Sequence, residues 1–262
     1  MTGIIPCLQY DYRYSRSFRL LKWTVKGKHV FSDKELMTIH VQTLFTHDVH
    51  SRLLLVNEPG GGGPAPRLFL GRTVEGNLWR FRADLPELLI EELEALCRDE
   101  PVGEDLHREL RHLEEYERLL ETHAPVQEVR MGPAYRFRHF FEPSRPVLTI
   151  TETNAEMLQG GFEGLIAELK DWQPFLAIVE ERKAVSVCRS VRITSQSHEA
   201  GVETLPGFRG NGYATEVVAG WASLVKSMGA IPLYSTSWDN IVSQAVARKL
   251  QLVPYSDDFH IT

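Results

Sequence analysis

The chain reads as an α/β protein: a mixed, mostly antiparallel sheet with flanking helices in the C-terminal half, preceded by a smaller α+β domain. Three observations predict this. Between residues 147 and 250, apolar runs of strand length alternate with longer stretches of helical period. One strand-to-helix junction in that region carries glycines at 207, 210 and 212. Residues 32–123 follow a different rhythm, with a capped amphipathic stretch, short alternating runs and two leucine-rich helical patterns. The expected layout is a basic lead-in over 1–31, an N-terminal α+β domain over 32–123, a connection over 124–134 and a second domain over 135–262.

In order along the chain, Ser32 with Glu35 three residues on forms a capping-box pattern. Leu36, Ile39, Val41, Leu44 and Phe45 then predict a helix over 33–46. Short apolar runs at 53–56, 68–70 and 78–81 predict a small antiparallel meander. The stretch 57–66, with glycines at 60 to 63 bounded by Pro59, Pro64 and Pro66, is expected as one of its loops. Those glycines open no helix and precede no Lys-Ser/Thr pair, so they read as a turn and not a phosphate cradle. Asp84 and Pro86 are expected to start a helix that buries Leu88, Leu89, Leu93 and Leu96. After Pro101 and Gly103 a second helix is expected to carry Leu106, Leu110, Leu113 and Leu120. His107, His112 and His123 are expected on or just after it as surface residues, without metal-ligand spacing.

The second half is expected as a strand over 147–151, a helix over 162–172 and strands over 175–179, 185–191 and 200–205. A helix over 212–228 follows, burying Val217, Val218, Trp221, Leu224 and Val225, then a strand over 231–236, a helix over 240–250 and a short end piece.

Composition narrows the function. The 262 residues are 43% hydrophobic and 24% charged, with formal net charge -6. That balance favours a soluble globular protein and argues against nucleic acid as a partner. Residues 1–30 are an exception, with six basic residues facing Asp11 alone, interleaved with aromatics. Cys7, Cys97 and Cys188 are odd in number and far apart, which speaks against a disulfide framework or a structural zinc. The sequence has no apolar run of membrane-spanning length, so the expected partner list contains no membrane and the expected compartment is the cytoplasm.

The informative segment runs from Val202 to Ala214. A strand ends at Leu205-Pro206, glycines follow, and an apolar-periodic helix begins at once. Helix N-terminal amides without intrahelical partners, backed by the positive end of the helix dipole, make a diphosphate site. Gly210 and Gly212 let phosphate oxygens reach the backbone, and Ala214 keeps the first turn open.

This segment resembles the signature of the GNAT superfamily of acyl-CoA N-acyltransferases, Arg/Gln-x-x-Gly-x-Gly/Ala, here Arg209-x-x-Gly212-x-Ala214. Asn240 opening the next helix and the ending Lys249-Leu250-Gln251-Leu252 are similar to that family as well. The resemblance implies an acyltransferase-type sheet and acetyl-CoA as co-substrate, without a metal. It implies that Leu205 and Gly207 meet the pantetheine arm, that Arg209, Gly210, Asn211, Gly212, Tyr213, Ala214 and Thr215 form the pyrophosphate loop, and that Asn240 faces the thioester end. Arg248 and Lys249 are within reach of an adenosine phosphate.

The implied reaction is transfer of an acetyl group to a primary amine, which requires a base. Glu203 is the first choice, with Glu199 and His198 as alternatives; alternation puts Glu199 and Glu203 on one face and His198 on the other. The family often carries a Tyr where this chain has Ala247, which leaves the leaving-group acid open among Tyr213, Tyr234, Tyr255 and solvent. The acceptor is expected to be a small-molecule amine or a protein amine, and a homodimer is an open assembly state. Some two-part members of the superfamily pair the active domain with an N-terminal half of degenerate acyltransferase shape, and this chain is compatible with that plan; a related first half, lacking the cofactor loop, is expected to shape the acceptor pocket or a subunit contact. Competing readings are a non-catalytic acyl-CoA-binding or sensory module and a binder of another diphosphate nucleotide.

Overall fold

The computed structural model describes residues 31–102 and 109–262. The basic lead-in up to residue 30, Cys7, Gly103, Leu106 and His107 lie outside the described residues.

Helix α1 (Asp33–Leu44) begins with the expected capping box: the Ser32 side chain accepts from the Glu35 amide, and the Glu35 carboxylate accepts from the Ser32 amide. A hairpin of β1 (Phe45–His47) and β2 (Leu53–Val56) follows, then β3 (Leu68–Thr73) and β4 (Gly76–Phe81). Helix α2 (Glu87–Asp99) starts after Pro86 without a side-chain cap, because the Asp84 carboxylate accepts from Arg82 instead. Its buried stripe is Leu89, Ile90, Leu93 and Cys97. Leu88, expected inside, is exposed. Helix α3 (Leu113–Glu121) packs on α2 and buries Tyr116, Leu119 and Leu120.

The rest comprises β5 (Val129–Arg136), β6 (Leu148–Thr149), β7 (Phe175–Glu180), β8 (Lys183–Ile193), β9 (Ser197–Thr204), α4 (Tyr213–Ser227), β10 (Ile231–Ser235), α5 (Ile241–Lys249) and β11 (Val253–Ile261). Among the described residues, nine strands form one sheet in the order β4-β3-β11-β5-β10-β9-β8-β7-β6. Its strand pairs are antiparallel except β9 with β10. The fold class is therefore the expected one, a mixed and mostly antiparallel sheet flanked by helices.

Strand β2 pairs with β1 in a separate two-stranded sheet and not with β3 in the expected meander, and Leu110 lies outside α3; four further elements differ from the sequence expectation. The end piece is a nine-residue strand, β11, between β3 and β5, so strands from the N-terminal half and the C-terminal half share one sheet. Part of the expected connection is β5. Gly132 sits in that strand because a Cβ there would collide with the carbonyl oxygen of Thr236. The segment expected as a helix over 162–172 holds only a short 3-10 turn, Glu163–Leu165, although its apolar residues Phe162 and Leu169 are buried; glycines at 160, 161 and 164 weaken an α-helix there. The strand expected over 147–151 shrinks to β6, since Thr151 caps a 3-10 helix.

The two faces of the sheet carry different cores. Helices α4 and α5 cover one face, where Val217, Val218, Trp221 and Ala247 pack on Cys188, Leu176 and Tyr234. Helix α1 covers the other, where Leu36, Met37 and Val41 meet Phe69, Ala134 and Tyr255. Adjacent residues Ala134 and Tyr135 of β5 serve opposite cores, as the two-residue period of a strand requires. Trp221 is fully buried and its indole N–H is satisfied by the Ser190 hydroxyl at 3.1 Å.

Candidate active site

The site has three parts, and the first is made of backbone. Strand β9 ends at Thr204, a 3-10 turn spans Pro206–Phe208, and α4 begins at Tyr213. Gly210 and Gly212 both have φ of 82°, the left-handed region that costs a side-chain-bearing residue about 1–2 kcal/mol. A Cβ at Gly207, Gly210 or Gly212 would meet nothing within 4 Å. The glycines thus serve the turn, and the space above them is open. Among the described residues, none of the amides from Gly210 to Thr215 donates to a protein acceptor, whereas the next amide, of Glu216, returns to the Gly212 carbonyl at 3.2 Å. Six free amides stand at the head of a 15-residue helix, an arrangement that favours an anion.

Side chains brace this loop from outside. Arg209 Nε donates to the Thr204 carbonyl at 3.3 Å, and Asn211 Nδ2 donates to the Phe208 carbonyl at 3.2 Å. The Tyr213 hydroxyl donates to Glu180 at 3.0 Å. Glu216, an acid in the first helical turn, accepts from the amide and hydroxyl of Ser144 at 2.6 and 2.7 Å. The neighbouring Arg145 lays its guanidinium 4.5 Å over the Tyr213 ring and donates to the Asn211 carbonyl at 3.5 Å. It is exposed and adds a positive charge at the mouth of the loop. Nothing in its own stretch of sequence marks it; only the fold carries it to the glycine turn.

The second part is an opening in the sheet. Strands β9 and β10 pair in parallel over Ser197↔Ile231, His198↔Pro232 and Glu199↔Leu233. Strand β10 then ends at Ser235, while β9 runs on to Thr204 paired only with β8. From Ala200 onward the β10-facing edge of β9 is open, an edge to which an extended amide-bearing chain can add. That edge leads straight into the glycine loop.

The third part is the carboxylate at the apex of the opening. Glu199 accepts from the amide and hydroxyl of Ser235 at 2.7 and 2.8 Å through Oε1. Its Oε2 has no hydrogen-bond partner among the described residues, and stands 3.6 Å from His40 Nε2 of α1. Burial pushes the Glu199 carboxyl up to about 7, against the Ser235 bonds and the Arg192 charge that pull it down. His40 is fully buried and pushed down to about 3, first by burial and then by His260. It is therefore neutral, and its Nδ1 shares a 3.0 Å hydrogen bond with the Tyr255 hydroxyl. Burial holds Tyr255 well above the usual phenol range, so that hydroxyl keeps its proton. With Tyr255 donating to Nδ1, the ring proton sits on Nε2 and faces Glu199. Asp258, also buried, lies 3.8 Å from His40 Nδ1 and is raised by desolvation and by the neighbouring acids.

Glu203 sits on the same face two positions further along the alternation, but in another setting. Its side chain is half exposed and its Oε1 accepts from Arg189 at 2.7 Å, and the Arg189 guanidinium covers the Trp172 ring at 4.5 Å. His198 lies on the opposite face, bonded to Ser190 at 2.9 Å beneath Trp221. Asn240 caps α5, its Oδ1 accepting from the Ser243 amide at 3.0 Å. Arg248 and Lys249 are exposed. The Tyr234 hydroxyl is engaged with Ser243 at 2.7 Å, and Ala247 is fully buried.

A cavity of about 400 Å³ lies over the opening on the α1 side. Glu199, Ala200 and Ser235 line it from β9 and β10, and Phe45, Val56 and Pro64 line the part built by the N-terminal half. Sequence reasoning missed this cavity and His40 together. The one local signal was a histidine inside the apolar stripe of the first helix.

No family model matches the chain, and no curated protein does. Among solved structures the chain is similar to a GNAT-family protein from Novosphingobium aromaticivorans, at 14% identity and TM-score 0.43, over 52% of this chain and 65% of that one. It thus spans just under two thirds of that protein. A GCN5-related N-acetyltransferase-like protein from Streptococcus suis matches at 16% identity and TM-score 0.44, over 76% of this chain and 85% of that one. An aminoglycoside N-acetyltransferase in complex with CoA matches at 19% identity and TM-score 0.34, over 40% of this chain and 89% of that one. At these levels of likeness the functional argument rests on the geometry of the site. Among the described residues no helix is long and apolar enough to cross a membrane.

Proposed function

We propose that the chain is an acyl-CoA-dependent N-acyltransferase of the GNAT superfamily that moves an acetyl group from acetyl-CoA directly to a primary amine. The observation that carries this reading is the continuity of three features: six free amides at the head of α4, the open edge of β9, and a buried carboxylate where β9 and β10 part. An acyl-CoA has the matching sequence of groups, a diphosphate, an extended amide-bearing arm and a thioester. The free amides of residues 210–215 would hold the diphosphate, and the open edge beside Leu205 and Val202 would take the arm.

Glu199, and not Glu203, is the base in this reading. The amine nitrogen forms a bond to the thioester carbonyl carbon, the carbon–sulfur bond breaks, and the electron pair leaves on sulfur. The proton shed by nitrogen passes to the Glu199 carboxylate, and the thiolate is protonated from solvent. A base whose affinity for protons lies near neutrality is suited to this transfer, because it is ionised often enough to accept and basic enough to hold. Glu203 is occupied by Arg189 and open to water, which fits a rim carboxylate.

Calorimetric titration with acetyl-CoA, CoA, ATP and NAD tests the cofactor half of the proposal. Micromolar binding of acetyl-CoA and CoA with at least tenfold weaker binding of ATP and NAD supports it, and the reverse order sinks it. A second reading, a non-catalytic acyl-CoA-binding module, is favoured by the buried Ala247 and by the engagement of the Tyr213, Tyr234 and Tyr255 hydroxyls elsewhere. Release of CoA thiol in the presence of an amine, abolished in Glu199→Gln, separates the two.

A further inference from the structure

We infer that the acceptor is a small primary amine with a single cationic group on an apolar body, and that the N-terminal half of the chain selects it. This rests on the acyltransferase reading for the chemistry, and on the cavity for the choice of acceptor. The cavity of about 400 Å³ lies within the size range of small-molecule sites, roughly 300–1,000 Å³. Glu199 is among its lining residues, a buried side chain whose Oε2 has no hydrogen-bond partner among the described residues. An amine is the ligand group that satisfies such an atom.

The walls decide the rest of the molecule. Leu44, Phe45, Val56, Pro64 and Pro66, all apolar, come from the end of α1, the β1–β2 hairpin and the loop after it. His260 adds a ring that stands edge-on to Phe45 at 5.5 Å. Burial and the Arg130 charge push that histidine down to about 4, so it is neutral near pH 7. Two arginines also line the cavity, and each is paired: Arg130 with Glu128 at 2.7 Å and Arg192 with Glu58 at 2.6 Å. A second cationic centre, as in a polyamine or an amino sugar, would stand against the Arg130 and Arg192 guanidiniums or give up water against the apolar wall, each at a cost. The cavity rejects such acceptors through that cost.

This wall is built as a fixed surface. Gly62 lies so close to Val56 that a Cβ would collide with the Val56 carbonyl oxygen, the Val56 amide donates to Gly63 at 2.9 Å, and Ala65 is fully buried. The glycine run at 60–63, which serves no phosphate, acts here by letting the loop close onto β2.

The test uses the full-length protein, with 2-phenylethylamine, spermidine, kanamycin and a short peptide bearing a free N-terminus, each at saturating acetyl-CoA. The expected result is a kcat/KM for 2-phenylethylamine at least tenfold above the other three. Calorimetric titration of 2-phenylethylamine without acetyl-CoA gives a readout that does not depend on turnover. Val56→Trp fills the cavity and is expected to raise the amine KM at least tenfold with the acetyl-CoA Kd unchanged. Pro64→Glu, at an exposed position, is expected to shift preference toward spermidine at least fivefold and guards against misfolding of the first variant. Preference for spermidine, kanamycin or the peptide in the unaltered protein overturns the inference, as does an amine KM or Kd insensitive to both substitutions. Loss of acetyl-CoA binding with 2-phenylethylamine binding retained overturns the acyltransferase reading and leaves the cavity assignment standing.

Discussion

The glycine loop and the Glu199 centre lie at opposite ends of the same open strand edge, yet they are built in opposite ways. The loop is continuous in sequence, exposed, and composed of backbone amides that glycine conformation and a helix start leave free. The Glu199 centre is buried and discontinuous: Glu199 comes from β9, Ser235 from β10, His40 from α1, and Tyr255 and Asp258 from β11. A backbone site is local and therefore written in a short motif. A side-chain site gains its properties from distant neighbours, because desolvation sets its proton affinity, and desolvation is a product of the whole fold. Four substitutions test this contrast.

The largest effect is expected at the buried end. Glu199→Gln should lower kcat by about 10²–10⁴-fold, the usual contribution of a positioned base, and leave the acetyl-CoA Kd within about twofold. In the unaltered protein kcat/KM should rise with pH through an inflection near 7, where the raised carboxyl ionises, and the variant should lack that inflection. The same shift has a stability consequence. The folded carboxyl titrates near 7 and the unfolded one near 4.5, so between those values the folded state holds a proton that the unfolded state has released. The stability from that proton is complete below pH 4.5 and lost as pH rises to 7, on the order of 3 kcal/mol for this group alone. Urea titrations at pH 5 and pH 8 should show a smaller decline in Glu199→Gln than in the unaltered protein; an equal decline would reject the raised carboxyl.

The same contrast explains what could be read from residues alone. The loop over 205–215, the α4 and α5 helices and the capped α1 helix follow from local patterns, and the structure has them where they were expected. Strand β11 was not legible, because Asp257, Asp258 and His260 break its apolar alternation. They are tolerated inside since Asp257 accepts from Arg72 at 2.7 Å and from Trp238 at 2.9 Å, and Asp258 faces His40. The choice between Glu199 and Glu203 was equally illegible. Alternation put them on one face, but only the covering of α1 over one and the half-exposed side chain of the other distinguish their environments.

Gly212→Val acts at the loop end. A β-branched residue at φ 82° is strained, and its methyl groups enter the open space over the free amides. The acetyl-CoA Kd should rise at least tenfold by calorimetry, while any remaining turnover keeps the pH inflection near 7. Loss of that inflection would mean that the two ends are coupled and the contrast is false. Arg145→Ala is a milder probe of the same end. An exposed cation beside a helix N-terminal anion site should contribute about 0.3–1 kcal/mol, a two- to fivefold weakening of acetyl-CoA binding. The difference between variant and unaltered protein should vanish in 0.5 M salt; a difference that survives high salt would assign Arg145 to packing on Tyr213 and not to charge.

The smallest effect is expected at Glu203, and it is the sharpest test of the assignment. Glu203 and Glu199 share a strand, a face and a side-chain type, so any argument from sequence position treats them alike. They differ in solvent: one is a half-exposed partner of Arg189, the other is buried with an oxygen that has no hydrogen-bond partner among the described residues. The Glu203 carboxylate is half exposed and already engaged by Arg189, so Glu203→Gln should change kcat by less than about threefold and leave the pH inflection in place. If Glu203→Gln removes the inflection and Glu199→Gln does not, the base is at the rim of the opening and burial is not what tunes it. The double variant settles the remaining ambiguity: with Glu199 as the base, adding Glu203→Gln to Glu199→Gln lowers kcat no further than about threefold.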